Sequence, residues 1–228
     1  MLLSRAYHQL SFDAAKAPEG GRVCYVLLPA GQLEDIRKWA ERAAAAHGCS
    51  IVLVSGMDWN RDMTPWPADG VMKDRKKFSG GAALFLKELL EDHIPSVEQW
   101  LKISSPKRYL IGISLSGLFA VWALSRTASF AGIGSVSGSL WYDGLADWAR
   151  TAQFNCGTSL YLSLGVKEKN TPDKRMATVE DATKDVASIL EGKGVSVDFE
   201  MVPGTHFSPA APKFDRALAA LLGAAQTI

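Results

Sequence analysis

Tyr109-Leu-Ile-Gly-Ile-Ser-Leu-Ser-Gly-Leu-Phe119 is the stretch on which the fold of this chain turns. Arg108 to Ile113 (RYLIGI) is a short apolar run that predicts a buried strand, and from about Ser116 to Arg126 the pattern becomes helical with no linker between. A strand that passes into a helix this abruptly needs small residues where the two backbones cross, and Gly112 and Ser116 supply them. Ser114 stands at the bend. A sharp turn lifts its hydroxyl out of the sheet and sets it at a helix amino terminus, where free N–H groups and the helix dipole favour developing negative charge. The Leu115 N–H is then a natural donor to an oxyanion. The pattern glycine–x–serine–x–glycine is met except at its last position, which holds Ser116. Ser116 is the rival nucleophile, although it lacks a glycine two residues before it. A strand-end serine also serves simply as a turn or cap residue.

On the amino-terminal side of this turn, Val23–Leu28 (VCYVLL) and Ile51–Ser55 (IVLVS) predict buried strands. Between them Leu33–His47 puts Leu33, Ile36, Trp39, Ala40 and Ala43 on one helical face and stops at Gly48. The loop from Gly56 to Gly70, with Pro65 and Pro67, is too long for a simple turn, and long loops in compact domains are often functional. Gly80–Asp92 predicts a helix that Ile94-Pro95 breaks, with a second piece running to about Leu101. On the other side come a small-residue strand near Ile133–Val136, a strand at Ser159–Leu164 and a long amphipathic helix from Asp173 to Glu191. A strand at Val195–Val202 and a closing helix at Pro209–Leu222 complete the chain. Strands alternating with helices, and no linker, predict one α/β domain over residues 1–228: a mostly parallel sheet with helices on both faces.

Composition agrees. The 228 residues carry 25 Lys plus Arg against 24 Asp plus Glu, and 47% are hydrophobic, which excludes intrinsic disorder and predicts an ordinary core. A net charge of +1 gives no reason to expect a nucleic-acid partner. The longest apolar stretch, Ala217–Ala225, is far short of the roughly 18–20 residues of a spanning helix, so no membrane partner is expected. MLLSRAYHQL lacks the apolar centre of a secretory signal. Cys24, Cys49 and Cys156 form no CxxC pair, so neither a redox motif nor a thiolate metal site is indicated. Buried free thiols in a cytoplasmic protein are the expectation, with no metal or organic cofactor. Oligomeric state leaves no signal.

A serine hydroxyl is a poor nucleophile at neutral pH and needs a base that titrates near 7. His206, in Val202-Pro-Gly-Thr-His-Phe-Ser208, follows the last predicted strand in a glycine-containing loop, at the same end of a parallel sheet as the Ser114 turn. His47 and His93 are placed as helix-end residues, and His8 lies in an amino-terminal segment away from any strand's carboxyl end. Glu168, in Leu162-Ser-Leu-Gly-Val-Lys-Glu168, follows another buried strand and is positioned to fix the tautomer of His206. Asp173 and Asp181 are nearby substitutes. Trp59, Trp66 and Trp141 fall in loops at the sheet's carboxyl end, where they either line an acyl or aromatic pocket or cap the core. Lys73–Lys77 is a basic loop, either simply solvated or steering an anionic substrate.

Taken together these segments resemble the α/β-hydrolases of the esterase group that includes esterase D and the ferric enterobactin esterases. Trp59-Asn-Arg-Asp-Met-Thr-Pro-Trp-Pro67, the helix from Phe78-Ser-Gly-Gly to Ile94-Pro95, the Tyr109–Phe119 turn and Phe130-Ala-Gly-Ile-Gly-Ser-Val-Ser-Gly-Ser-Leu-Trp141 carry the likeness, with Leu162–Glu168 and Gly204-Thr-His206. It covers roughly Arg22 to Leu222. The resemblance implies a serine esterase in which Ser114, Glu168 and His206 are nucleophile, acid and base in the order usual for that fold. It implies an oxyanion hole built from the Leu115 N–H and a second N–H after Ile51–Ser55, from Met57, Asp58 or Trp59. Arg61 and Asp62 are expected to brace that loop. Little sequence remains for a lid, so an accessible pocket for a small-molecule ester is expected. The alternatives are an acyltransferase or thioesterase using the same residues, or a silent binding protein on the same fold.

Overall fold

The computed structural model describes residues 2–17, 21–29, 33–71, 76–104 and 106–223, with the side chains of 33–35 excepted. An eight-stranded sheet runs through them. Its first two strands, β1 (Leu2–Tyr7) and β2 (Leu10–Ala15), form an antiparallel hairpin. β2 pairs antiparallel with β4 (Ser50–Ser55), and β4 pairs parallel with β3 (Arg22–Leu27). From β3 the sheet continues, all parallel, through β7 (Lys107–Ile113), β8 (Gly132–Val136), β9 (Ser159–Gly165) and β10 (Ser196–Val202). The order β1-β2-β4-β3-β7-β8-β9-β10 turns back on itself between β3 and β7. Such a switch point opens a crevice at the carboxyl ends of its two strands, which is where open α/β sheets hold ligands. A small separate ribbon pairs β5 (Pro67–Ala68) with β6 (Phe78–Ser79).

The strand alternation sorts the core into two layers. Val23, Tyr25 and Leu27 point to the face covered by α3 (Ala82–Glu88), α4 (Ile94–Leu101), α5 (Leu115–Ala123) and α7 (Val179–Gly192). Cys24, Val26 and Leu28 point to the other, against α1 (Leu33–His47) and α8 (Ala210–Leu222). Two short helices, α2 (Trp59–Asp62) and α6 (Leu145–Thr151), lie in connecting segments.

The fold class is as expected, but three local readings change. β1 and β2 carry no clean alternation of apolar and polar residues, and the hairpin escapes a pattern search. Its turn places His8 beside the carboxyl end of β4, since Ser11 pairs with Ser55, rather than away from it. Ile94-Pro95 does not break the helix either. Leu89–His93 forms a π turn that carries α3 straight into α4, and Pro95 sits in the first turn of α4. A widened turn just before a proline makes room for its ring and absorbs its missing N–H. The segment after Asp173 starts as a 3₁₀ turn, Met176–Thr178, because the Asp173 carboxylate accepts the N–H groups of Arg175 and Met176 at 2.9 and 3.0 Å. Cys24 and Cys49 are buried free thiols, whereas Cys156 is exposed. No helix among the described residues is long and apolar enough to cross a membrane.

Candidate active site

Ser114 joins β7 to α5 with φ +59° and ψ −123°. A residue with a Cβ adopts such a conformation only under strain, at a cost of order 1–3 kcal/mol. The surroundings enforce it. A Cβ on Gly112 would lie 2.0 Å from the Ser116 carbonyl oxygen, so strand and helix cross at a separation only glycine permits. Ser116 is fully buried; its hydroxyl accepts the Ile113 N–H at 2.8 Å and points at the Leu27 carbonyl, 2.9 Å away, tying the elbow to β3. That explains a serine in the place of the last glycine of the pattern, and it removes Ser116 as a nucleophile.

His206 follows β10 in a turn that Gly204 enters at φ +112° and that the Thr205 N–H closes on Ser208 Oγ at 2.9 Å. Its Nε2 lies 3.2 Å from Ser114 Oγ and its Nδ1 lies 2.9 Å from Glu168 Oε2. A carboxylate at Nδ1 assigns the ring proton there and leaves Nε2 as an acceptor facing the serine hydroxyl. Glu168 is buried in the turn after β9, and its Oε1 accepts the Ser137 hydroxyl at 2.6 Å and the Gly165 N–H at 2.7 Å. Burial pushes this carboxyl up, but the hydrogen bonds from His206, Ser137 and Gly165 outweigh that and hold it below its ordinary value. Gly165 is required here too: a Cβ on it would meet the Gly204 carbonyl at 2.8 Å and Glu168 Oε1 at 2.9 Å. Asp173 is spent on its own turn, and Asp181 lies in the first turn of α7.

A cleft of about 210 Å³ opens over Ser114 and His206, walled by Pro29, Trp59, Ile113 and Phe207. Phe207 is 88% exposed at its rim. Of the three tryptophans only Trp59 is part of this wall. Trp66 donates its indole N–H to the Asp143 carbonyl at 2.8 Å and packs near Tyr142 and Trp148. Trp141 lies beside Phe78 with the Arg175 guanidinium over its ring. Both knit loops together instead of facing the cleft. Among the second oxyanion donors considered, Asp58 is disqualified because its N–H is taken by Asp62 Oδ2 at 2.8 Å. Arg61 and Asp62 pair at 2.7 Å, with Asp62 buried, as the brace the sequence suggested. In the basic loop, residues 73–75 lie outside the described residues, and Lys77 is exposed beside Asp69. Among the described residues no cluster of His, Cys, Asp or Glu is placed to hold a metal ion.

The sequence reading missed Lys213. Its side chain is buried on α8 directly behind the acid and the histidine turn. The signal was present: Lys213 shares its helix face with Ala217, and Phe214, Ala217 and Leu218 are all buried.

The family model described as "Putative esterase" matches residues 26–224. This chain belongs to the esterase family. Its fold is the α/β-hydrolase fold. An esterase-family chain of this kind is similar to the uncharacterized protein YbbA of Bacillus subtilis (strain 168), 31% identical over 154 residues, which are 65% of this chain and 62% of that protein. The aligned part thus spans less than two thirds of that relative. Among solved structures, an IroE-like serine hydrolase from Shewanella oneidensis superposes with a TM-score of 0.78 at 19% identity, over 97% of this chain and 80% of the other. The enterobactin hydrolase IroE in complex with DFP superposes with a TM-score of 0.64 at 25% identity, over 97% and 93%.

Proposed function

We propose that this chain hydrolyses small carboxylic esters through an acyl-enzyme on Ser114, working as one domain over its length. In this reading Ser114 Oγ attacks the ester carbonyl as its proton passes to His206 Nε2, and Glu168 stabilises the imidazolium. The tetrahedral oxyanion is held by the Leu115 N–H at the start of α5, with Met57 or Trp59 supplying the second donor. Collapse expels the alcohol, which takes the proton from His206. Water then adds by the same route and releases the acid. The observation that carries the reading is the unbroken chain of contacts from Ser114 through His206 to Glu168, at 3.2 and 2.9 Å, on an elbow strained at φ +59°.

A cleft of about 210 Å³ with Trp59 and Phe207 on its wall suits a substrate that presents one small apolar or aromatic arm to the nucleophile. Enterobactin, named for the IroE hydrolase, is one ester to include among the substrates tried. The test is a p-nitrophenyl ester chain-length series on wild type and Ser114→Ala, with organophosphate labelling of the folded protein. Turnover of the short esters and an adduct on Ser114 are expected in wild type alone. Equal turnover by both proteins rejects the assignment of Ser114. A new ester formed in the presence of a competing alcohol marks an acyltransferase, and the lack of any adduct or turnover marks a binding protein.

A further inference from the structure

We propose that Lys213 is a positioning residue of this site: its ammonium orients the Ser137 hydroxyl toward Glu168 and anchors the turn that carries His206. The inference rests on the esterase reading and extends it to a residue outside the Ser114–His206–Glu168 chain. A lysine inside a protein is costly and is kept only where its hydrogens and charge are answered. Lys213 is 4% exposed. Its Nζ lies 2.9 Å from Ser137 Oγ, 2.9 Å from the Thr205 carbonyl and 3.4 Å from the His206 carbonyl, with Glu168 Oε1 at 3.8 Å. Three N–H groups therefore meet three acceptors, two of them on the backbone of the histidine turn.

The consequence follows from donor and acceptor counting. An ammonium only donates, so Ser137 Oγ accepts from Lys213 and must send its own proton elsewhere. Glu168 Oε1, 2.6 Å away, is where it goes. With the Gly165 N–H also on Oε1, that oxygen is engaged twice, and Oε2 is left for His206 Nδ1. Ser137 is itself held for this task, at φ +48° just past the end of β8, a region a serine seldom occupies. One cation thus fixes both which oxygen of the acid meets the imidazole and where the imidazole's backbone stands. Burial pulls the ammonium's pKa down while Glu168 draws it back up.

The charged groups facing Lys213 are Glu168 and the His206 ring beyond it. Its neighbours on α8 look elsewhere, Asp215 to the Trp39 indole of α1 and Arg216 to Glu200 of β10, which also accepts from Tyr161 of β9. Removing the cation therefore acts on Ser137, the acid and the histidine turn. In Lys213→Met, kcat per folded enzyme should fall by about 10²-fold, the scale of a small misplacement of a reacting group, with KM within about 3-fold. The acid limb of kcat/KM should move to higher pH, because loss of a nearby positive charge favours the protonated form of the base. Lys213→Arg should recover most of kcat and return the limb. Ser137→Ala, which keeps the lysine, should lower kcat about 10-fold with KM held; it carries the test alone if Lys213→Met does not fold. Wild-type kcat and an unmoved acid limb in Lys213→Met, or wild-type kcat in Ser137→Ala, overturn the proposal. The esterase reading fails separately, through wild-type protein that neither turns over esters nor takes an organophosphate label.

Discussion

Among the described residues two histidine–carboxylate pairs stand on the carboxyl edge of the sheet, and only one of them is the pair we propose for chemistry. His206 Nδ1 meets Glu168 Oε2 at 2.9 Å; His8 Nε2 meets Asp92 Oδ2 at 3.3 Å. The contacts are alike, the surroundings are not. The Glu168 side chain is 2% exposed and Asp92 is 45% exposed, with the Tyr7 hydroxyl donating to its other oxygen. A buried acid whose other oxygen is already saturated has one remaining use, to hold the imidazole. A wet aspartate on the π turn, facing a histidine on the hairpin turn, is screened and contributes little. The second difference is what else the ring meets: a strained serine hydroxyl at Nε2 for His206, but the rings of Tyr7 and His93 for His8. A histidine beside a carboxylate is common; one clamped between a dry acid and a hydroxyl on a forced turn is rare.

The sharpest way to break the comparison is Ser114→Ala, which should cost about 10⁶-fold in kcat, the scale seen when a triad nucleophile is removed. Glu168→Gln should cost about 10⁴-fold by stabilising the wrong tautomer, measured on the same ester. Residual activity above about a tenth in either variant would erase the distinction between the two pairs. Ser116→Ala should leave an organophosphate adduct on Ser114 while lowering stability by about 1–3 kcal/mol, the loss of a buried brace read from urea unfolding.

Acid titration separates the pairs in another way. Because the folded protein holds Glu168 below its ordinary value, the stability this group contributes is present above the unfolded carboxyl range, about 4.3. It is lost as pH falls through the lower folded value. The unfolding midpoints of wild type and Glu168→Gln should therefore change their separation only at the acid end of that range; a gap that opens or closes near neutrality would contradict the sign. The smallest effect belongs to the exposed pair. His8→Ala and Asp92→Asn should each leave kcat/KM within about 2-fold and stability within about 1 kcal/mol.

How much of this was legible depends on how local the cause is. The elbow could be read because its constraint lies within five residues: Gly112 must be small since Ser116 lies against it. The two central strands and α1 were legible from apolar period alone. The amino-terminal hairpin was not, because Leu2–Tyr7 keeps Ser4 and Arg5 at exposed edge positions, where pairing with a neighbour rather than burial makes the strand. Nor was the π turn, since a proline in sequence looks like a break unless the turn before it is known to widen. Lys213 was passed over because lysine on an amphipathic helix is normally solvent-facing; its answer comes from Ser137, far away along the chain, and from the 205–206 carbonyls, which the loop before α8 folds back onto it. Trp66 and Trp141 were placed at the correct end of the sheet, but which way an indole turns is settled by partners such as the Asp143 carbonyl.

Among the described residues the thiols divide unevenly, and the division is useful. Burial pushes the Cys24 thiol well up and the Cys49 thiol to about 12, so neither offers a thiolate at neutral pH. Cys156 is exposed just before β9, at the amino ends of the parallel strands, on the rim opposite the Ser114 cleft. A maleimide dye or a surface tether should therefore attach at one natural point. It would leave the cleft facing outward, so the protein can be immobilised in a single orientation, or watched by fluorescence, without an engineered cysteine.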